Sequence, residues 1–220
     1  MALIGNWPVN ADDWFKDNPV AWRIVKDGPQ WLGTAKPDNW NLQALLSNMC
    51  NYGKQNWRYE PGSRVNVEAT LRGTHFVTDC ESLAKIFCEI AQHLGFQTAT
   101  PRKIQKPGYR IVTKPGMVTF NGKTGDSSLE SRWCFGDHWV AEYDNQCYDP
   151  TFNFKGFSFA QVPTVYFGWY AREMPNDKCF ARTFWKADPT APGSRDVYMR
   201  MIPDVAYTYK PTNIQGKEVK

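Results

Sequence analysis

The 220-residue chain is 42% hydrophobic and 22% charged, with a formal net charge of +4. That length and apolar content suffice for one sizeable core, so a single domain over residues 1–220 is expected. The mild charge lacks the clustered basic residues that nucleic acid demands, and no apolar run is long enough to span a membrane, so neither is expected as a partner.

Residues 1–40 are rich in Trp, Pro, Asn and Asp and read as an N-terminal extension of irregular structure with short helical turns. The first residues carry no basic segment leading into an apolar run, so no secretory signal is read. The chain is expected to be made as a cytoplasmic protein, with export by a signal-independent route left open. The 10 tryptophans suit either a carbohydrate or peptide groove or a loop-rich core. In "NLQALLSNMC" the residues Leu42, Leu45, Leu46, Met49 and Cys50 share one helical face, and Gly53 stands near the helix end. The stretch "NYGKQNWRYEPGSR" follows as a loop, and "VNVEATLR" alternates as a strand does, with Val65, Val67, Ala69 and Leu71 on one side.

The segment "TDCESLAKIFCEIAQHLGF", Thr78 to Phe96, is the clearest helix. Thr78 and Glu81 are spaced as a capping box, Leu83, Ala84, Phe87, Ile90, Ala91 and Leu94 form an apolar stripe, and Gly95 stops it. Short β-rich pieces come next: "FQTAT", "YRIVT", "MVTF", "HWVAEY", "QCYDPTF", "VYFGWYARE" and "DVYMRMI". The basic stretch from Pro101 to Gly116 is spaced with turn residues and reads as a solvated loop or edge strand. Helices first and strands later predict an α+β domain with an antiparallel sheet, and the segment from Tyr209 onward is a polar tail.

The six cysteines form no Cys-x-x-Cys pair, so no zinc site is expected, and reduced thiols are. Cys80 falls in the first turn of its helix, where unpaired N–H groups and the helix dipole favour a thiolate and can stabilise an oxyanion. The bland alternative is a small buried hydrophobe at the start of the stripe. Cys88, in mid-helix, reads as core. A thiol nucleophile needs a base, and the chain has 3 histidines. His93 lies on the same helix, roughly 20 Å away at the helical rise, and cannot serve. His75, in the loop before the helix, is the lesser candidate. His138 remains. In "DHWVAEYDNQCYDPTF" a two-residue turn at Asp144-Asn145 pairs Tyr143 with Gln146 and Glu142 with Cys147. His138, Val140, Asp149 and Thr151 then share one face, with Asp149 within reach of the His138 ring. Cys80, His138 and Asp149 thus have the makings of a triad.

"DCESLAKIFCEIAQHLGF" resembles the nucleophile helix of the transglutaminase-like superfamily of papain-like cysteine enzymes, and "HWVAEYDNQCYDPTF" resembles that superfamily's His strand, turn and Asp-Pro-Thr strand. The resemblance covers residues 78–152. It implies a papain/transglutaminase-like core, with a central nucleophile-bearing helix packed on an antiparallel sheet. It implies Cys80 as nucleophile, His138 as general base and acid, and Asp149 as the residue that orients the ring. It also implies acyl transfer on carboxamide or peptide bonds of a protein or peptide substrate through a thioester, with no cofactor. Such enzymes include transglutaminases, deamidases and proteases. Trp57 is a candidate for a second oxyanion donor because this superfamily often uses an indole N–H; a core tryptophan is the competing reading. Asp79 and Glu81 flank Cys80, where the superfamily often has Gly before it and a small residue soon after. "DCESL" also resembles the "DCSGL" of NlpC/P60 peptidoglycan amidases, although those close the triad with a later histidine and none follows His138 here. A peptidoglycan amidase or endopeptidase, and a non-catalytic binding domain on the same fold, are the alternatives. The compact size and missing signal would suit a bacterial effector.

Overall fold

A computed structural model of the protein describes residues 11–26, 39–60, 62–63, 65–105, 109–113, 119–122, 133–158, 171–175, 179–187 and 195–203. In chain order the elements begin with helices α1 (Ala11–Asp17), α2 (Pro19–Lys26) and α3 (Asn39–Asn56). Strand β1 (Arg58–Tyr59), α4 (Val67–Arg72), β2 (Val77–Thr78) and α5 (Cys80–His93) follow. Then come β3 (Thr100–Ile104), β4 (Tyr109–Thr113), β5 (Cys134–Phe135), β6 (His138–Tyr143), β7 (Gln146–Asp149) and β8 (Phe154–Ser158). The last strands are β9 (Ala171–Pro175), β10 (Cys179–Ala187) and β11 (Arg195–Pro203). No helix among the described residues is long and apolar enough to cross a membrane.

The chain parts into two compact units. The first comprises Met1–Ile104, Val118–Lys123 and His138–Val162, the second Gln105–Met117, Thr124–Asp137 and Pro163–Lys220. In the second unit β4 lies between β5 and β9, and β10 pairs antiparallel with β11 from Cys179↔Pro203 to Ala187↔Arg195.

The first unit is α+β. Its sheet has the order β3-β6-β7-β8, with every pair antiparallel, and α5 lies against β6 and β3. The expected stripe of α5 supplies the contact. Leu83, Ala84, Phe87, Ile90 and Ala91 are buried with Ile86 and Cys88, and Phe87 stacks on Tyr148 of β7 with ring centroids 5.4 Å apart. Each of the leucine, isoleucine and phenylalanine side chains among them contributes about 1.5–3 kcal/mol by leaving water. Leu42, Leu45, Leu46 and Met49 of α3 are wholly buried, and this helix meets α5 and β7. Cys50, expected in the core, is there, its Sγ donating to the Pro150 carbonyl at 3.4 Å. Gly95 has φ 99 and takes the left-handed position just past the α5 cap, as expected.

Several expectations are corrected. "VNVEATLR" is not a strand: Val67–Arg72 is the short helix α4. Asn66 caps it, its side chain accepting from the Ala69 N–H at 3.1 Å, and Gly73 ends it at φ 80. Glu68 and Arg72 pair across one turn at 2.9 Å. The caps decide the matter over the apolar alternation. The capping box also shifts by one residue. Thr78 belongs to β2, and Asp79 is the N-cap, accepting from the Ser82 N–H and hydroxyl, each at 2.8 Å. Glu81 instead pairs forward with Lys85 at 2.6 Å. Around the N-terminus, the short helical turns expected within irregular structure are two short helices, Ala11–Asp17 and Pro19–Lys26. Of "FQTAT" only Thr100 is in a strand, and in "MVTF" Thr119 and Phe120 are not. Met117, Val118, the Val165–Tyr170 part of "VYFGWYARE" and the polar tail lie outside the described residues.

Candidate active site

Each side chain of the site is placed by an element with its own structural reason. β1 and β2 pair in parallel, Tyr59 opposite Thr78, with the Glu60 N–H donating to the Thr78 carbonyl at 2.8 Å. That short ladder delivers the chain to Asp79, whose cap starts α5 at Cys80. Cys80 is therefore the first helical residue. Its N–H has no acceptor within the helix, and the positive end of the dipole lies beside its sulfur. Its side chain is half-buried, whereas Cys50, Cys88 and Cys147 are buried. Burial raises the pKa of Cys50 and Cys88, and pushes the Cys147 thiol up to about 12.

The hairpin holds the other two members. Asp144 and Asn145 have φ 47 and 59, the left-handed pair that a tight two-residue turn requires. The register is the expected one, Tyr143 opposite Gln146 and Glu142 opposite Cys147. His138, Val140, Asp149 and Thr151 are all buried, at 1% exposure or less. His138 Nε2 donates to Asp149 Oδ2 at 2.7 Å, while the other carboxylate oxygen, Oδ1, accepts from the Thr151 N–H at 2.9 Å. Asp149 is thereby fixed at both oxygens, and Phe152 lies against the ring with centroids 5.7 Å apart.

The Cys80 sulfur is the other group whose charge acts on the same imidazole. With Nε2 committed to Asp149, the nitrogen left to take up a proton is Nδ1. Burial of the ring opposes its protonation. Asp149, by charge and hydrogen bond, and the Cys80 sulfur outweigh that and push the imidazole pKa up to about 10. The arrangement can take a proton from the sulfur, hold it as imidazolium, and return it to a leaving group.

The structure thus brings Cys80, His138 and Asp149 together in one unit. His93 is apart from them, stacked on Trp14 at 3.9 Å and paired with Glu89 at 3.6 Å; burial lowers its pKa. Trp57 is buried in an aromatic cluster, edge-on to Tyr52 at 5.4 Å and to Phe120 at 6.4 Å, which is the core reading. Two features beside the site were not read from the sequence, the capping role of Asp79 and the burial of Tyr59. Asp79 could have been found as the residue type that best caps a helix just before an apolar stripe. Tyr59, with 0% exposure and paired across the ladder with Thr78, sits in a stretch that reads as loop and gave no signal. Among the described residues no group of three or more His, Cys, Asp or Glu is arranged to hold a metal ion. No protein-family model, curated protein or solved structure matches the chain.

Proposed function

We propose that this protein is a thiol-dependent acyltransferase or hydrolase of the transglutaminase-like kind, acting on carboxamide or peptide bonds of a protein or peptide. The observation that carries the reading is a single buried imidazole, tied to Asp149 at 2.7 Å and acted on by the charge of a half-buried cysteine at a helix start. A helix that opens on the cysteine and packs on an antiparallel sheet bearing the histidine and aspartate supports a papain-like core for this unit. His138 takes the Cys80 proton, the sulfur attacks the acyl carbon, and His138 returns the proton to the departing amine. The thioester is then resolved by water or by an amine, with His138 again as base. Asp149 holds the ring in the tautomer that leaves Nδ1 free to accept.

Two measurements test this. Incubation of the intact chain with a mixture of proteins, read by mass spectrometry, should give deamidated glutamine, a glutamine–lysine crosslink or a cleaved peptide bond, each naming a different acceptor or bond. Cys80→Ala should abolish it while keeping the melting temperature. Iodoacetamide at neutral pH should label Cys80 faster than Cys50, Cys88 or Cys147. Labelling of Cys80 no faster than those buried thiols refutes the nucleophile, and release of cell-wall peptides alone would move the assignment to a peptidoglycan amidase.

A further inference from the structure

The two segments that carry the proposed triad are far apart in the chain, and a third segment ties them together. It is the tight turn from Thr119 to Gly122. The turn belongs to a short stretch of the first unit, Val118–Lys123, while the chain on both sides of that stretch belongs to the second. The Gly122 N–H closes the turn by donating to the Thr119 carbonyl at 2.9 Å. Within it the Thr119 hydroxyl donates to Asn121 Oδ1 at 2.6 Å, which fixes the side-chain amide. The Asn121 NH₂ then donates to the Trp57 carbonyl at 3.3 Å, at the head of β1. From there the Arg58 N–H donates to the Phe76 carbonyl at 2.8 Å, and the β1–β2 ladder leads to Asp79 and the start of α5.

On its other side the same turn holds the base. The Phe120 N–H donates to the Thr151 carbonyl at 2.7 Å. Thr151 gives its own N–H to Asp149 Oδ1 at 2.9 Å, and Asp149 Oδ2 accepts from His138 at 2.7 Å. The Phe120 ring anchors its backbone, being buried and edge-on to Trp57 and Tyr59 at 6.4 and 6.3 Å. Resting on the acyl-transfer reading, we infer that Asn121 is a positioning residue for that reaction. It locks a clip that fixes the Asp149–Thr151 turn to the ladder leading to Cys80. Asn121 itself touches neither the sulfur nor the His138–Asp149 pair; it acts through the Phe120 N–H and Thr151. Without its amide the turn loses both the Trp57 and the Thr119 bonds, and the Phe120 N–H drifts from Thr151. The carboxylate then loses its fixed direction, and the imidazole loses the orientation that proton transfer from the thiol requires.

The test is a double-mutant cycle in the full chain, read by acylation of Cys80 with p-nitrophenyl acetate. Asn121→Ala should slow the p-nitrophenolate burst by about 10- to 100-fold, the loss that a small misplacement of a catalytic group brings. Asn121→Asp keeps the shape and the Thr119 bond but cannot donate to Trp57, and should slow it in the same direction. In an Asp149→Asn background, where no carboxylate orients the ring, either change should cost less than about threefold. Equal losses in both backgrounds are what a purely structural role gives, and they overturn the inference. So does an unchanged burst in both single variants. A second measurement needs no turnover. The proton on His138 Nε2, bound to Asp149, should give a downfield NMR signal that His138→Gln removes. In Asn121→Ala that signal should move upfield or broaden away; an unmoved signal overturns the inference even where the variant melts earlier. A wild type without the burst refutes the acyl-transfer reading, and the inference with it. With burst and signal present in wild type and both unchanged in Asn121→Ala, the inference alone fails.

Discussion

Asp149→Asn separates the orienting role of the carboxylate from its bulk. The aspartate uses both oxygens, one accepting from His138 Nε2 at 2.7 Å and the other from the Thr151 N–H at 2.9 Å. An asparagine of the same shape can satisfy one of these as an acceptor, not both. If its carbonyl oxygen keeps the Thr151 N–H, its NH₂ faces Nε2. The ring must then carry its proton on Nδ1, and cannot accept the thiol proton there. If the amide flips, the buried Thr151 N–H loses its acceptor, which costs about 1–3 kcal/mol. That preference alone leaves the productive tautomer populated about 5- to 150-fold less. The variant also loses the charge that stabilises the imidazolium, while the burial that opposes protonation stays. Together these predict a fall of about 10²–10⁴ in the rate of the Cys80 ester burst at neutral pH, approaching the loss known for the same tautomer error in a serine triad. The assay is the burst with p-nitrophenyl acetate in the intact chain, with the melting temperature measured alongside. A variant that folds as wild type does and keeps the burst within about threefold would show that Asp149 does not set the His138 tautomer, and the argument would fail.

One other outcome follows from the same structure. A Cβ at Gly53 would meet Phe120 at 2.7 Å and Trp57 at 2.8 Å, so Gly53→Ala should lower stability by about 1–3 kcal/mol through overpacking, despite the better helix propensity of alanine. An unchanged or raised melting temperature would mean that these rings yield freely.

How much of this was legible in the sequence depended on how far each signal is local. The hairpin was legible because its turn chemistry and its side-chain alternation are both encoded within a few residues. Asp144 and Asn145 tolerate the left-handed turn, and the register then puts His138 and Asp149 on one face without further information. The α5 stripe was legible for the same reason, being long enough for its period to be unmistakable. The segment Val67–Arg72 was not: a helix of under two turns offers too few apolar positions to tell a period of 3.6 from one of 2. There the caps, Asn66 and Gly73, carried the information that the alternation obscured. Thr78 misled because a threonine three residues before a glutamate fits a capping box, yet the β1 pairing claims that backbone and leaves the cap to Asp79. The burial of Tyr59 was beyond reach, since nothing near it says that a two-residue parallel ladder will set it opposite Thr78.

On the proposed acyl-transfer reading, the burial of the site constrains how a substrate is handled. Cys80 is half-buried, while His138, Asp149 and Tyr59 are closed off at 1% exposure or less. The base therefore cannot meet a substrate except across the sulfur. One ring nitrogen, Nδ1, must both take the thiol proton and return it, because Nε2 stays with Asp149 throughout. The departing amine must then lie on the face of the acyl carbon that looks back toward His138, with the substrate oxygen turned toward the helix start. A closed base also keeps bulk water from the imidazolium, so the proton is held for the leaving group rather than lost to solvent. For the second half of the reaction the acceptor, whether water or an amine, must enter the space that the leaving group has vacated. The choice between hydrolysis and transfer is thus set by what fills that space beside Cys80, and the triad geometry is the same for both.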